Sequence, residues 1–207
     1  MKTSYKVLVI VVMLLLVVGF TVHWQSKSTK SITLREAPRG GDFTLNSASG
    51  PFELKSQRGK VVLIYFGYTF CPDICPTNLM LIAQAFNALN KQELARVQGV
   101  FISVDPERDT PDRLAAYTKY FHPSIIGVTG KPDHLAQIAK QYGAVYRKVE
   151  GDSQGGYLID HSANTYVVAP DGSLHTILPH ATPPQEILKV IRSLLNQIQT
   201  KSSNSAH

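Results

Sequence analysis

The chain has 207 residues, 43% hydrophobic and 17% charged, which suits one folded domain of roughly 150 residues with short extensions. Twenty-one basic side chains against 15 acidic ones give a formal charge of +6. The basic residues are scattered in ones and twos, without a run or interleaved aromatics, which speaks against a nucleic-acid partner.

Val7 to Val18 is uninterrupted aliphatic or methionine behind Lys2 and Lys6, and Gly19 to Val22 extend the run. No small-x-small cleavage site follows in Phe20 to Trp24, and there is no cysteine for a lipid anchor. The expectation is an n-region at residues 1–6 and an uncleaved transmembrane anchor at 7–24. Tyr5 to Trp24 as a helix reaches about 30 Å, the hydrocarbon thickness, with aromatics at both interfaces. Lys2 and Lys6 give a small N-inside bias, and the n-region is too short and too poor in arginine for a mitochondrial transit peptide. The chain is therefore expected in a bacterial inner membrane, single-pass, with its domain facing the periplasm. Residues 25–37 suit a polar linker, 38–199 the folded domain and 200–207 a disordered tail.

Within the domain, Phe43 to Leu45 and Phe52 to Leu54 flank a Ser-Gly-Pro turn and predict a hairpin. Val61 to Tyr68 is a continuous apolar run of the kind buried on both faces of a sheet, and Pro76 suits the first turn of a helix to about Leu89. A second buried strand is expected at Val97 to Val104. Thr110-Pro111-Asp112 caps a helix to about Phe121, and a strand at Ile125 to Thr129 follows. A helix at Pro132 to Tyr142 precedes a strand at Ala144 to Val149 and a polar loop at Gly151 to Gly156. Three further strands are expected, at Tyr157 to Asp160, Tyr166 to Ala169 and Leu174 to Leu178, with Pro170-Asp171-Gly172 as a turn. Pro183 or Pro184 opens the last helix, to about Gln199. This alternation predicts an α/β fold: a mixed sheet with helices on both faces, an N-terminal hairpin, an inserted hairpin and one preceding transmembrane helix.

The chain's two cysteines, Cys71 and Cys75, close too small a loop to staple a fold, so redox or metal chemistry is the better reading. They follow a central strand and open a helix, where α/β sheets place their sites. A first-turn Cys75 would gain from the positive helix end, which predicts a lowered thiol pKa there. Side chains four apart on a helical turn can chelate one ion or close as a redox-active disulfide. Two thiolates favour Cu(I), and Zn(II) accepts the same pair with a histidine. Of seven histidines, His23 and His207 lie in the extensions, and His122 and His134 fall at helix ends as surface caps. His161, His175 and His180 remain as candidate third ligands.

The string Gly67-Tyr68-Thr69-Phe70-Cys71-Pro72-Asp73-Ile74-Cys75-Pro76-Thr77, with Ser103-Val104-Asp105-Pro106-Glu107-Arg108-Asp109-Thr110-Pro111 and Asp160-His161-Ser162, resembles the Sco/SenC family of copper chaperones over roughly Pro38 to Leu195. The resemblance implies a thioredoxin-like three-layer sandwich and copper held by Cys71, Cys75 and His161. It also implies a role in maturing the dinuclear copper centre of cytochrome c oxidase. The cargo would be Cu(I), with Cu(II) also accommodated, and no bond-making catalysis is required. The partners implied are the copper-site subunit of the oxidase, a thioredoxin-like thiol reductase and another periplasmic copper chaperone.

Ser103 to Pro111 reads as a strand-ending turn and a capped helix, not as metal ligands. The competing function is a periplasmic thiol-disulfide oxidoreductase or redox sensor using Cys71 and Cys75. Against it, the spacing is not C-x-x-C, and the proline expected opposite such a dithiol is absent from His161 to Thr165. A peroxidase and a zinc-binding interaction domain are weaker variants.

Overall fold

The computed structural model describes residues 13–17, 19–21, 37–150 and 156–204, which divide into a unit ending at Ala37 and a unit beginning at Pro38. In the first, residues 13–17 and 19–21 are helical, with Met13, Leu14, Leu15, Leu16, Val17 and Phe20 exposed. Among the described residues no helix is long and apolar enough to cross a membrane, and most of the expected anchor at 7–24 and linker at 25–37 lies outside them.

The second unit opens with the expected hairpin, β1 (Thr44–Ser47) and β2 (Gly50–Glu53). Its central sheet contains β3 (Val61–Gly67), β4 (Val97–Ser103), β5 (Ile125–Val128), β8 (Thr165–Val168) and β9 (Leu174–Leu178), in the order β5-β4-β3-β8-β9. The first three are parallel, and β8 and β9 add antiparallel to β3. Every residue of β3 and β4 is buried; β3 is a continuous apolar run, as a strand covered on both sides requires, and β4 also buries Gln98, whose Nε2 donates to Ser124 O at 2.8 Å. A separate antiparallel pair, β6 (Tyr146–Glu150) and β7 (Tyr157–His161), is the inserted hairpin; residues 151–155 of its loop lie outside the described residues.

Among the described residues of this unit, five α-helices and a 3-10 turn at Leu54–Gln57 accompany the strands: α1 (Ile74–Asn87), the short α2 (Lys91–Leu94), α3 (Pro111–Phe121), α4 (Pro132–Tyr142) and α5 (Pro184–Asn204). Strand alternation sends Tyr65 and Phe66 to opposite faces of the sheet. Tyr65 stacks on Phe101 at 6.3 Å, and Phe101 meets Tyr117 of α3 at 5.5 Å. Phe66 meets Tyr142 of α4 at 6.1 Å and Tyr166 at 5.5 Å. Helices therefore cover both faces, giving a mixed α/β sandwich.

Helix α1 carries Pro76 in its first turn, as expected, beginning at Ile74 and ending at Asn87. Helix α5 continues to Asn204, into the stretch expected to be a disordered tail, because residues 200–204 contain no glycine or proline to stop it. Helix α2 was not expected, although its capping box was readable: Asn90 Oδ1 accepts from the backbone N–H of Glu93 and Glu93 Oε2 accepts from that of Asn90, both at 2.9 Å.

His122 also departs from its expected role as a surface cap. It follows α3 but is only 5% exposed, edge-on to Phe86, and its Nδ1 accepts the backbone N–H of Ser124 at 3.0 Å. Burial lowers its pKa, so the unfolded chain takes up the proton first as pH falls. The stability this residue contributes is fully present above about pH 6.5 and is lost as pH drops through the folded value. We expect the urea midpoint to fall from pH 7.5 to pH 5, and His122→Gln to reduce that fall. An equal fall in both proteins would show that other groups cause it.

Candidate metal centre

Strand β3 delivers its chain end at Gly67, and the turn Tyr68–Pro72, closed by the Cys71 N–H donating to Tyr68 O at 3.2 Å, leads into α1. Asp73 is the N-cap, so Cys75 is the second residue of the helix and wholly buried, while Cys71 in the turn keeps 8% exposure. The close approach depends on Gly67: a Cβ there would lie 2.5 Å from Cys75 Sγ and 2.8 Å from a Phe101 ring carbon. From the other side β7 presents its last residue, half-buried His161, whose Nε2 stands 3.3 Å from Cys75 Sγ. The two sulfurs and an imidazole nitrogen all lie within 4.8 Å of one another. Among the described residues this is the one cluster of three such side chains within reach of a single ion, and the exposed His175 and His180 lie outside it.

The histidine is aimed before any ion arrives. Its Nδ1 lies 3.0 Å from the carbonyl oxygen of Ser162, which can only accept, so Nδ1 carries the proton and Nε2 offers its lone pair toward the sulfurs. Tyr65 and Tyr68 box the ring edge-on at 6.1 and 5.8 Å. Two thiols and a neutral imidazole form a soft, low-coordinate donor set that can hold a copper ion.

The expectation that helix-start electrostatics would favour a Cys75 thiolate is overturned. Complete burial, with the neighbouring Cys71 sulfur, pushes the Cys75 thiol far above its usual range. Cys71 accepts a hydrogen bond from Cys75 and further ones from the backbone N–H groups of Cys75 and Asp73; these outweigh its own burial and bring it down to about 4. Desolvation beats the helix end at Cys75, and the thiolate sits on the turn. We expect iodoacetamide at pH 6, where an ordinary thiol is almost wholly protonated, to alkylate Cys71 first. Labelling of Cys75 first, mapped by peptide mass spectrometry, would contradict this assignment.

The segment Ser103 to Thr110 makes the turn and capped helix expected of it: Thr110 Oγ1 accepts the Arg113 N–H at 3.3 Å. Sequence reasoning missed that it also ties together the two loops bearing the candidate ligands. Fully buried Asp109 accepts from Thr69 N–H at 2.9 Å, from the Thr69 hydroxyl, and from Ser103 Oγ at 2.6 Å, which fixes the cysteine turn. Fully buried Asp105 accepts from Tyr157 Oη at 2.7 Å and pairs with Arg108, whose Nη1 donates to Tyr157 O at 3.0 Å and whose guanidinium lies 3.7 Å from the Tyr157 ring centroid. That second set holds the start of β7, the strand that ends in His161. Three acids with one arginine and one threonine between Ser103 and Pro111 were the available signal; the partners lie too far along the chain to be read.

A family model described as SCO1/SenC matches residues 32–196. Protein SCO1 homolog 1, mitochondrial, of Arabidopsis thaliana is 38% identical over 159 residues, 72% of this chain and 46% of that protein. The SCO2-like protein RC0895 of Rickettsia conorii is 37% identical over 156 residues, 74% of this chain and 76% of that one. The chain thus spans about half the length of the Arabidopsis relative. Among solved structures, Bradyrhizobium japonicum ScoI with copper bound matches with TM-score 0.69 and 36% identity over 75% of this chain and 99% of that one. BsSco, described as having a disulfide switch and as a member of the Sco family of cytochrome c oxidase assembly proteins, matches with TM-score 0.61 and 26% identity over 78% and 95%.

Proposed function

Because the chain belongs to the SCO1/SenC family, we propose that it is a copper carrier that loads the dinuclear copper centre of cytochrome c oxidase, with Cys71, Cys75 and His161 as its ligands. The observation that carries this reading is the convergence of two sulfurs and an oriented imidazole nitrogen within 4.8 Å, in a fold matched by a relative solved with copper bound. Copper is the cargo, and transfer is ligand exchange without bond-making catalysis. An incoming thiolate meets Cys71 and His161 at the rim, whereas buried Cys75 is the last donor to let go. Delivery to the copper-site subunit of the oxidase, and receipt from another copper chaperone, belong to this reading.

The anchor at 7–24 is part of the same reading. Six large apolar side chains exposed on the described helical residues 13–17 and 19–21 suit lipid better than water. Tethering at a bacterial inner membrane would put the dithiol in an oxidising space, where Cys71 and Cys75 close as a disulfide unless a thioredoxin-like reductase opens them. A low-pKa Cys71 beside Cys75 favours a second reading as a thiol-disulfide oxidoreductase or redox sensor.

Two assays test the readings: first, reduced full chain is titrated with Cu(I) against a competing chelator, wild type beside His161→Ala. We expect one copper per chain and at least tenfold weaker binding in the variant. Equal affinities would refute the three-ligand site. Reduction of insulin disulfides at a rate comparable to a thioredoxin would promote the second reading.

A further inference from the structure

Helix α1 carries a buried polar side chain that the metal chemistry does not use. Asn78 is 3% exposed and stands one turn after Cys75, on the same face of the helix. Apolar Leu79 and Ile82 beside it build the core. A leucine of similar size would serve packing alone at position 78, so the amide needs its own account.

Both ends of that amide are bonded to other segments. Nδ2 donates to the carbonyl of Ala163 at 2.7 Å, and Oδ1 accepts the backbone N–H of Ala181 at 3.0 Å. A carbonyl only accepts and an N–H only donates, so the amide can be oriented in only this way. Ala163 lies in the three-residue link between His161, the end of β7, and Thr165, the start of β8. The neighbouring Ser162 carbonyl holds His161 Nδ1, and Ser162 is itself fixed on Val145, its Oγ accepting that residue's N–H at 2.9 Å. Ala181 is the one described non-glycine residue with positive φ, at 58°, a conformation that a Cβ disfavours. Asn78 therefore clamps three segments far apart in sequence, and one of them sets where the histidine points.

We propose that Asn78 is the positioning residue of the copper site: it fixes the link after His161 to the helix that carries Cys75, and so holds Nε2 at ligand distance from the sulfurs. The geometry is a short lever. The amide bonds the Ala163 carbonyl; the adjoining peptide unit carries the Ser162 carbonyl; that carbonyl orients the imidazole. Without the clamp the link gains freedom, and the histidine must be ordered when the ion binds. The inference rests on the copper reading above.

The test is a double-mutant cycle in the full, reduced chain, with Cu(I) affinity measured against a competing chelator. Asn78→Asp keeps shape and the acceptor for Ala181 and, assayed at a pH high enough to ionise this buried carboxyl, has no donor for Ala163; Asn78→Ala removes both bonds. We expect each to weaken binding about tenfold when His161 is present and to have no further effect in the His161→Ala background. Retained wild-type affinity in both variants would overturn the proposal, as would an equal loss in the two backgrounds, which would mark Asn78 as a purely structural residue. If Asn78→Ala fails to fold, the isosteric Asn78→Asp decides the question. A His161→Ala protein that binds as tightly as wild type would overturn the three-ligand reading along with the proposal, whereas an effect of His161→Ala without one of Asn78→Asp would overturn the proposal alone.

Discussion

Cys75→Ser should abolish copper binding while leaving the fold in place. Cys75 is fully buried, and the chain's one other thiol, Cys71, already belongs to the same ligand set, so nothing can replace its sulfur. A serine hydroxyl stays protonated at neutral pH and is a hard donor, unsuited to Cu(I). We expect affinity to fall at least a thousandfold, about 4 kcal/mol at ~1.4 kcal/mol per decade. The hydroxyl can still donate to His161 Nε2, which stands 3.3 Å from the sulfur it replaces, so the metal-free protein should melt cooperatively. Residual binding within tenfold of wild type would show that Cys75 is not a ligand. Loss of cooperative melting would show that its role is structural.

Asp109→Ala should be the costliest substitution for stability outside the hydrophobic core. Its carboxylate takes Thr69 N–H at 2.9 Å, Ser103 Oγ at 2.6 Å and the Thr69 hydroxyl, with Arg113 Nε at 3.8 Å. Alanine leaves three donors facing a dry gap, each costing about 1–3 kcal/mol when unmet. The hydroxyls can turn to other partners in part, so the net loss should be about 3–5 kcal/mol, a large share of the ~5–15 kcal/mol that holds a domain together. Asp109→Asn keeps one acceptor for the Thr69 N–H and should lose about 1–2 kcal/mol. Urea unfolding of the metal-free proteins measures both. A loss below about 1 kcal/mol in Asp109→Ala would mean that the network is not coupled to folding.

These two residues mark the division between what the sequence discloses and what it withholds. The cysteine pair was legible because a buried apolar run, two thiols and two prolines are all local. The strand Val61–Gly67 emerged where its continuous apolar run placed it, Val97–Ser103 followed as the second buried strand, and Thr110-Pro111 started its helix as its cap demands. Local reasoning failed at Cys75, where proximity to a helix start argued for a thiolate and burial by strands from elsewhere in the chain decided otherwise. It failed at His122 for the same reason, since Phe86 is distant in sequence. The clamps made by Asp105, Asp109 and Asn78 join segments 40 to 103 residues apart, and no periodicity encodes such a pair. Three histidines were candidates by position, with His161 favoured by its place at a strand's end after a Gly-rich loop, and resemblance strengthened that choice before its ring was seen facing the sulfurs.

X-ray absorption spectroscopy at the copper edge, on the copper-loaded full chain, tests the central claim most directly. Coordination by two sulfurs and one imidazole nitrogen is the result expected, with the nitrogen contribution absent from His161→Ala. A shell of sulfur alone in the wild-type protein, or an imidazole signal that survives in His161→Ala, would contradict it.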